Sequence, residues 1–327
     1  MCTDATPMEL KKIFPDMIIS NSEYGNVSLI FEKVRFEITT FRKELKYKDH
    51  RRPEKTFYVN SLDEDLKRRD FTINTLCIDK NGKEIDLMRA KDDLDNKIIR
   101  MVGNPKTRLK EDALRILRAV RFATVLNFKI EDNLKGCIKR YGHYLRKLSS
   151  DRKKEELDII FASNNKEYGI ELLNELKLTD YLDIGNLKKI KITPSMIVTW
   201  AQLNVLDKYN FTSAEKDVIN KINDAKTKDI LNPHVLYTDG LYVCTLVAEL
   251  NGVDKKALNE VYMNMQIKNR TDIALEPLEI CDVLNKKAGK FLKELIDDLE
   301  DKILDGKLDN NKKDITDYLL NNYFEKA

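Results

Sequence analysis

The run Glu111–Phe122, EDALRILRAVRF, limits what this chain can fold into more than any other segment. At 3.6 residues per turn, its alanine, isoleucine, leucine and valine side chains gather on one face of a helix. The opposite face carries one carboxylate and three arginines: Asp112, Arg115, Arg118 and Arg121. Aspartate offers hydrogen-bond acceptors and arginine offers a planar fork of donors. The run therefore predicts a helix that packs into a core and presents a polar template suited to a planar base bearing phosphates.

The sequence before this run predicts a small sheet. Thr6–Phe14 begins with a Thr-Pro helix-start signal, and Asn26–Phe31 with Val34–Thr40 alternates apolar and polar residues as a hairpin does. Thr56–Asn60 is expected to be another strand. The basic segment Arg42–Lys55 between the strands is expected to be a mobile loop.

The sequence after the sheet predicts helices. Ser61–Leu66 is expected to start a helix with a capping box between Ser61 and Glu64. After about Lys91 proline is rare, and long amphipathic runs continue to Lys326. With 327 residues, the chain is long enough for two or three packing units. The expected fold class is α+β, with a small mixed sheet followed by an all-helical part.

Composition excludes several classes of protein. No stretch approaches the roughly 20 apolar residues of a membrane span, and the N-terminus carries no apolar signal segment. The five cysteines are scattered without a CxxC pair, which fits a reducing cytoplasm and argues against disulfide or metal use. Net charge is only +3, but lysine and arginine concentrate in the middle third of the chain. That band indicates either a phosphate-rich partner or a solvated lysine-rich face.

Four segments, in this order and spacing, resemble class II tRNA nucleotidyltransferases (the CCA-adding enzymes) and their bacterial poly(A) polymerase relatives. They are FEITTFR at Phe36–Arg42, DLKRRDFTINTL at Asp65–Leu76, EDALRILRAVRF, and SDRKKEEL at Ser150–Leu157. The resemblance covers the whole chain and is strongest in residues 1–160. It implies addition of C, C and A to tRNA 3′ ends from CTP and ATP. It also implies Mg²⁺ as the metal and the tRNA acceptor arm as the partner.

The resemblance also implies roles for single residues. In this family a hydroxyl attacks an α-phosphate, and two carboxylate-held metal ions stabilise the attacking and leaving oxygens. Glu37 lies where a third metal-binding acid is expected, although an ordinary charged strand residue is the alternative. The implied nucleotide-binding residues are Arg69 for the phosphates, Asp70 and Asn74 for the ribose side, Asp112 and Arg115 for the base, and Arg118 and Arg121 for phosphates or RNA.

The chemistry of Asp112 and Arg115 supports their implied role. Cytosine and adenine both present an amino donor beside a ring acceptor, which an aspartate and an arginine can pair. Uracil and guanine place a carbonyl where the amino group would be, so two acceptors would face each other. Mispaired buried polar groups cost about 1–3 kcal/mol or more. One site can therefore accept CTP and ATP and reject UTP and GTP; the alternative is a surface pair on a helix.

Two further matches concern a loop and a brace. The loop match, similar to the flexible loop of enzymes that add the terminal A, comprises Tyr47, Asp49, Arg51, Arg52 and Pro53. Arg152 and Glu156 match an i,i+4 pair that is implied to brace the neck helix. The implied domains are a nucleotidyltransferase head at 1–100, a neck with the base-selecting helix at 101–160, a helical body at 161–230 and a tRNA-binding tail at 231–327.

One departure from the family pattern stands out. The family begins with a glycine loop and an Asp-x-Asp strand that holds the principal metal ligands, and neither precedes Cys2 in this chain. The intact remaining motifs favour a truncated reading frame, with the true start about 40 residues upstream, over a degenerate copy. Two alternatives to CCA addition stay open: a poly(A) polymerase on the same fold, and a catalytically dead RNA-binding remnant.

Overall fold

The computed structural model describes residues 1–15, 18–21, 25–48 and 52–324. The chain divides into two compact units. Unit 1 comprises Met1–Ile190 with Val205–Asn210, and unit 2 comprises Lys191–Asn204 with Phe211–Ala327. Strands occur in unit 1, and the described part of unit 2 is helical, so the expected α+β class is confirmed.

Unit 1 begins with a four-stranded sheet in the order β1-β4-β3-β2. Its strands are β1 (Cys2–Thr3), β2 (Ile18–Asn21), β3 (Asn26–Phe31) and β4 (Val34–Thr40). The predicted hairpin is confirmed, because β3 and β4 pair antiparallel along their length with Val27 opposite Ile38. Helix α1 (Pro7–Ile13) follows a Thr6–Glu9 capping box, and its Leu10 packs on Val27 and Ile38.

The segment expected to be a loop forms a second ribbon. Strands β5 (Arg42–Lys48) and β6 (Arg52–Tyr58) pair antiparallel, with Glu44 opposite Thr56. The loop prediction was wrong because the backbone groups of this segment pair with one another as two antiparallel strands. Of the loop residues implied by resemblance, Asp49 and Arg51 lie outside the described residues. Arg52 begins β6, and its side chain, like those of Tyr47 and Pro53, lies outside the described part.

A short helix joins the ribbon to the rest of unit 1. Helix α2 (Leu62–Arg68) starts after Ser61, but the Ser61 side chain makes no cap hydrogen bond, so the predicted capping box is wrong. Three carboxylates in the first turn face the positive end of the helix dipole instead. A 3₁₀ turn at Thr72–Asn74 follows. The short strands are β7 (Cys77–Ile78), β8 (Glu84–Ile85), β9 (Ile98–Ile99) and β10 (Lys129–Ile130), and helix α3 is Ala90–Asp95.

Six α-helices complete the described part of unit 1. They are α4 (Pro105–Glu111), α5 (Leu114–Leu126), α6 (Asp132–Tyr141), α7 (Ser150–Ala162), α8 (Lys166–Glu175) and α9 (Thr179–Leu182). The apolar face of α5 packs on α7 and α8. A Cβ at Gly169 would lie 2.6 Å from Thr124 and 2.7 Å from Ile160, so only glycine lets α8 approach so closely. The predicted buried stripe is confirmed, since Ile116, Leu117 and Val120 have no exposed surface.

Unit 2 is built from seven helices in the described part of the chain. They are α10 (Met196–Leu203), α11 (Ser213–Ala225), α12 (Pro233–Asn251), α13 (Lys255–Asn264), α14 (Pro277–Leu284), α15 (Phe291–Leu304) and α16 (Lys312–Asn322). Leu299, Ile315 and Leu319 are fully buried in the core that α14, α15 and α16 share. Across the residues described, no helix combines the length and apolarity needed to cross a bilayer.

Candidate functional site

A polar cleft of about 540 Å³ opens in unit 1. Most of its lining residues are charged. They are Arg42, Glu44, Arg68, Arg69, Asp70, Asn74, Asp112, Arg115, Arg118 and Phe122. Six of the implied nucleotide-binding residues therefore lie around one cleft, although up to 49 residues separate them in sequence.

Asp70 is the acceptor at the centre of one wall. Its carboxylate accepts hydrogen bonds from the Phe71 backbone at 2.9 Å, from Asn74 Nδ2 at 2.9 Å and from Arg118 Nε at 2.7 Å. Burial alone would raise the pKa of Asp70, but Arg118 and the hydrogen bonds outweigh burial and lower that pKa. Asp70 is therefore an anion at neutral pH and holds Arg118 against the cleft wall.

Arg69 and Arg68 are anchored from behind by a residue that the sequence analysis did not single out. Asp65 Oδ1 accepts from Arg68 Nη2 at 2.6 Å, and Asp65 Oδ2 accepts from Arg69 Nη2 at 3.3 Å. Asp65 Oδ1 also accepts from the Arg42 backbone at 3.2 Å, which ties β5 to α2. The Asp65 side chain is only 1% exposed. Its place in α2, one turn before Arg69, was the available sequence signal.

The predicted continuous helix over Glu111–Phe122 is wrong at its start. Helix α4 ends at Glu111, and Asp112 is its C-cap with an extended backbone, φ −138° and ψ 105°. Helix α5 begins at Leu114, whose backbone N–H donates to Asp112 Oδ1 at 3.0 Å. Aspartate favours such breaks because its side chain competes for backbone N–H groups. Asp112 therefore lies off the helical row, yet it still lines the cleft.

Arg115 is held rigidly rather than displayed on a surface. Its side chain is 6% exposed, and Nη1 donates to Arg108 O at 2.8 Å and to Glu111 Oε2 at 3.2 Å. Because this guanidinium is buried and held in one orientation, less side-chain entropy would be lost when a ligand binds it than at a solvated arginine.

Arg121 and Glu156 lie beyond the cleft lining. Arg121 Nε is 2.6 Å from Glu156 Oε2, and the Arg121 guanidinium covers the Phe122 ring at 4.1 Å. Arg118 Nη1 is 3.9 Å from Glu156 Oε1. Burial raises the pKa of Glu156 despite these arginines. Arg121 therefore pairs with the buried carboxylate of Glu156 and is not among the residues that line the cleft.

The expected brace between Arg152 and Glu156 is wrong. Arg152 Nη1 pairs with Glu155 Oε2 at 2.9 Å, and both side chains are about half exposed. Glu156 instead turns inward to Arg121. The i,i+3 and i,i+4 positions are both within reach on a helix, and burial on the Arg121 side decides which carboxylate faces which arginine.

Glu37 lies apart from the cleft lining. On β4 its side chain is 76% exposed and lies 3.3 Å from Arg35. Among the described residues, no group of three histidine, cysteine, aspartate or glutamate side chains is placed to hold a metal ion. The described residues therefore supply Glu37 as an isolated carboxylate and not the ligand set of a two-metal centre.

Family models match three parts of the chain. Residues 1–100 match the poly A polymerase head domain, residues 127–183 match the model "Probable RNA and SrmB-binding site of polymerase A", and residues 204–319 match tRNA nucleotidyltransferase domain 2.

Relatives are similar over nearly the whole chain. The CCA-adding enzyme of Ligilactobacillus salivarius is 33% identical over 96% of this chain and 85% of its own length. The chain belongs to the CCA-adding enzyme family. The CCA-adding enzyme of Bacillus subtilis is 31% identical over 98% of this chain and 88% of its own length. The nucleotidyltransferase class expected from the sequence is thereby confirmed.

Solved structures of the family share the fold. The Bacillus stearothermophilus CCA-adding enzyme in complex with CTP superposes with a TM-score of 0.85 at 26% identity, covering 98% of this chain and 87% of that one. The Thermotoga maritima CCA-adding enzyme complexed with tRNA superposes with a TM-score of 0.61 at 19% identity, covering 96% and 83%.

Proposed function

We propose that this chain adds C, C and A to tRNA 3′ ends, with CTP and ATP as its nucleotides. One observation carries the proposal: Asp112 and Arg115 line the same cleft as Arg69 and Arg118. A base template and phosphate-binding guanidiniums within one cleft match the two ends of a nucleoside triphosphate. The complexes of relatives with CTP and with tRNA support the same assignment.

In this proposal, one set of cleft residues binds the base and another set binds the phosphates. Asp112 accepts from the exocyclic amino group of cytosine or adenine, and Arg115 donates to the neighbouring ring nitrogen. Arg69 and Arg118 bind the triphosphate, while Asp70 and Asn74 contact the ribose. UTP and GTP are rejected because their carbonyl oxygens would face the Asp112 carboxylate, leaving buried acceptors unpaired.

Residues and segments outside the cleft lining also have roles in this proposal. Arg121 supports Phe122 and Glu156 behind the cleft, and Glu37 would supply one carboxylate ligand to Mg²⁺. The 1–100 head and 101–160 neck carry the nucleotide site, and the 161–230 body and 231–327 tail bind the tRNA acceptor arm. The scattered cysteines and the family's tRNA substrates support a cytoplasmic location.

The test is incubation of the purified chain with tRNA lacking CCA, Mg²⁺ and each nucleotide in turn. Addition of C, C and A followed by arrest would support CCA addition. An open-ended A tail would instead identify a poly(A) polymerase. No incorporation alongside retained tRNA binding would identify an RNA-binding remnant.

A further inference from the structure

Arg108 joins the two walls of the cleft without lining it. It lies on α4, one turn before Asp112, and its side chain is 13% exposed. Among the residues lining the cleft it does not occur, so it is placed behind the wall. Its partners come from two segments about 40 residues apart in sequence.

Toward the phosphate side, Arg108 holds backbone atoms. Its Nη2 donates to the carbonyl oxygens of Arg68 and Arg69, the latter at 3.1 Å. Arg69 is the C-cap of α2, so these carbonyls lie at the negative end of that helix, where a guanidinium is favoured. The position of Arg108 thus fixes the backbone that carries the Arg69 side chain.

Toward the base side, Arg108 acts through Glu111. Arg108 Nη1 donates to Glu111 Oε2 at 2.6 Å, and the same oxygen accepts from Arg115 Nη1 at 3.2 Å. Arg115 also donates to the Arg108 carbonyl at 2.8 Å. A shift of Arg108 would therefore move the carboxylate that orients Arg115.

We propose that Arg108 is a positioning residue that couples the phosphate wall to the base wall of the cleft. The inference rests on the proposed function. When a triphosphate binds the Arg69 side chain, Arg108 holds the Arg69 backbone in position. The same Arg108 guanidinium holds Glu111, which orients Arg115 for the base. The planar fork of arginine presents separate donors in fixed directions to both sides at once, whereas a lysine ammonium is a single compact charge.

Coupling of this kind is measured with two partial ligands on the full chain. Isothermal titration calorimetry would give the affinity of cytidine with and without inorganic tripolyphosphate. We expect tripolyphosphate to tighten cytidine binding about fivefold or more in the wild type, with the reciprocal effect on tripolyphosphate. In Arg108→Lys, each partial ligand should still bind while the enhancement falls to less than about twofold.

Arg100→Lys is the matched control. Arg100 lies between Asp93 at 3.1 Å and Glu131 at 3.5 Å in unit 1 and does not line the cleft. It should keep the wild-type enhancement. Should Arg108→Lys fail to fold by circular dichroism, Arg108→Gln takes its place, since it keeps a donor for the carbonyls but cannot pair ionically with Glu111.

Several outcomes would overturn the proposal. A wild-type chain that binds both partial ligands independently has no coupling for Arg108 to carry. An Arg108 variant that keeps the full enhancement would show that Arg108 only packs. Titration of intact CTP and UTP into the wild type tests the proposed function separately from the coupling. Equal affinities for CTP and UTP would refute the proposed function, whatever the Arg108 variants show.

Discussion

Unit 1 and unit 2 each contain buried carboxylates paired with arginine, and in unit 1 the arginines of these pairs line a cleft. In unit 2, Glu300 accepts from Arg270 Nε at 2.7 Å and from Tyr237 Oη at 2.5 Å. Burial would raise the pKa of Glu300, but these two partners outweigh it and lower that pKa. The side chains of Tyr237, Arg270 and Glu300 bond to one another and so hold α12, α15 and the turn at Arg270 together.

In unit 1 the same residue types are arranged differently. Asp65 and Asp70 are largely buried carboxylates that hold the guanidiniums of Arg69 and Arg118, and both arginines stay partly exposed in the cleft. The comparison teaches that a buried ion cluster is by itself only a structural device. A binding site arises where buried carboxylates orient arginines toward open space.

The largest expected effect is on the choice of nucleotide, at Asp112. Asp112→Ala should lower the preference for CTP over UTP about 100-fold, because the acceptor that distinguishes an amino group from a carbonyl is lost. Single-nucleotide incorporation or equilibrium titration of both nucleotides would measure it. Asp301→Ala, an exposed carboxylate of unit 2, is the control, and an unchanged CTP preference in Asp112→Ala would refute the template.

In unit 2, removing Arg270 should lower stability and leave the nucleotide preference unchanged. Arg270→Ala leaves the buried Glu300 with Tyr237 as its remaining hydrogen-bond donor in the pairs described above, at an expected loss of about 2 kcal/mol in the free energy of unfolding. Urea denaturation would measure the loss. Nucleotide preference should stay at the wild-type value, and a changed preference would contradict the distinction drawn between the two clusters.

Acid should weaken unit 1 through Asp70. The folded-state pKa of Asp70 is lowered, so its stabilising contribution is present above the unfolded pKa near 3.8 and is lost as pH falls through the folded value. Asp70→Asn should therefore lose less stability than the wild type between pH 5 and pH 2. Urea titrations across this range provide the measurement, and parallel losses in the two proteins would argue against an ionised Asp70 in the fold.

The smallest effect is expected at the exposed pair. Arg152→Ala should change the free energy of unfolding by no more than about 0.5 kcal/mol, because Arg152 and Glu155 are both well solvated. Thermal unfolding beside Arg121→Ala would test this, since Arg121 is the buried partner of Glu156 and should cost more. A larger loss in Arg152→Ala would restore the brace that the sequence implied.

Sequence patterns were sufficient where short-range rules decide the structure. The β3–β4 hairpin, the Thr-Pro start of α1 and the buried stripe of α5 follow from alternation, helix-start signals and helical period. They were not sufficient at Asp112, where an aspartate interrupts the helical pattern, or in Arg42–Lys55, where two strands pair within a basic segment that was predicted to be a loop.

The sequence by itself determined the fold class, the family and six of the residues that line the cleft. Motif spacing carries that information because chemistry restricts residue type at each functional position. Only the tertiary structure decided which charges contact which: Arg118 with Asp70, Arg121 with Glu156, and Arg108 with both walls. Long side chains on a helix have several partners within reach, and burial selects among them.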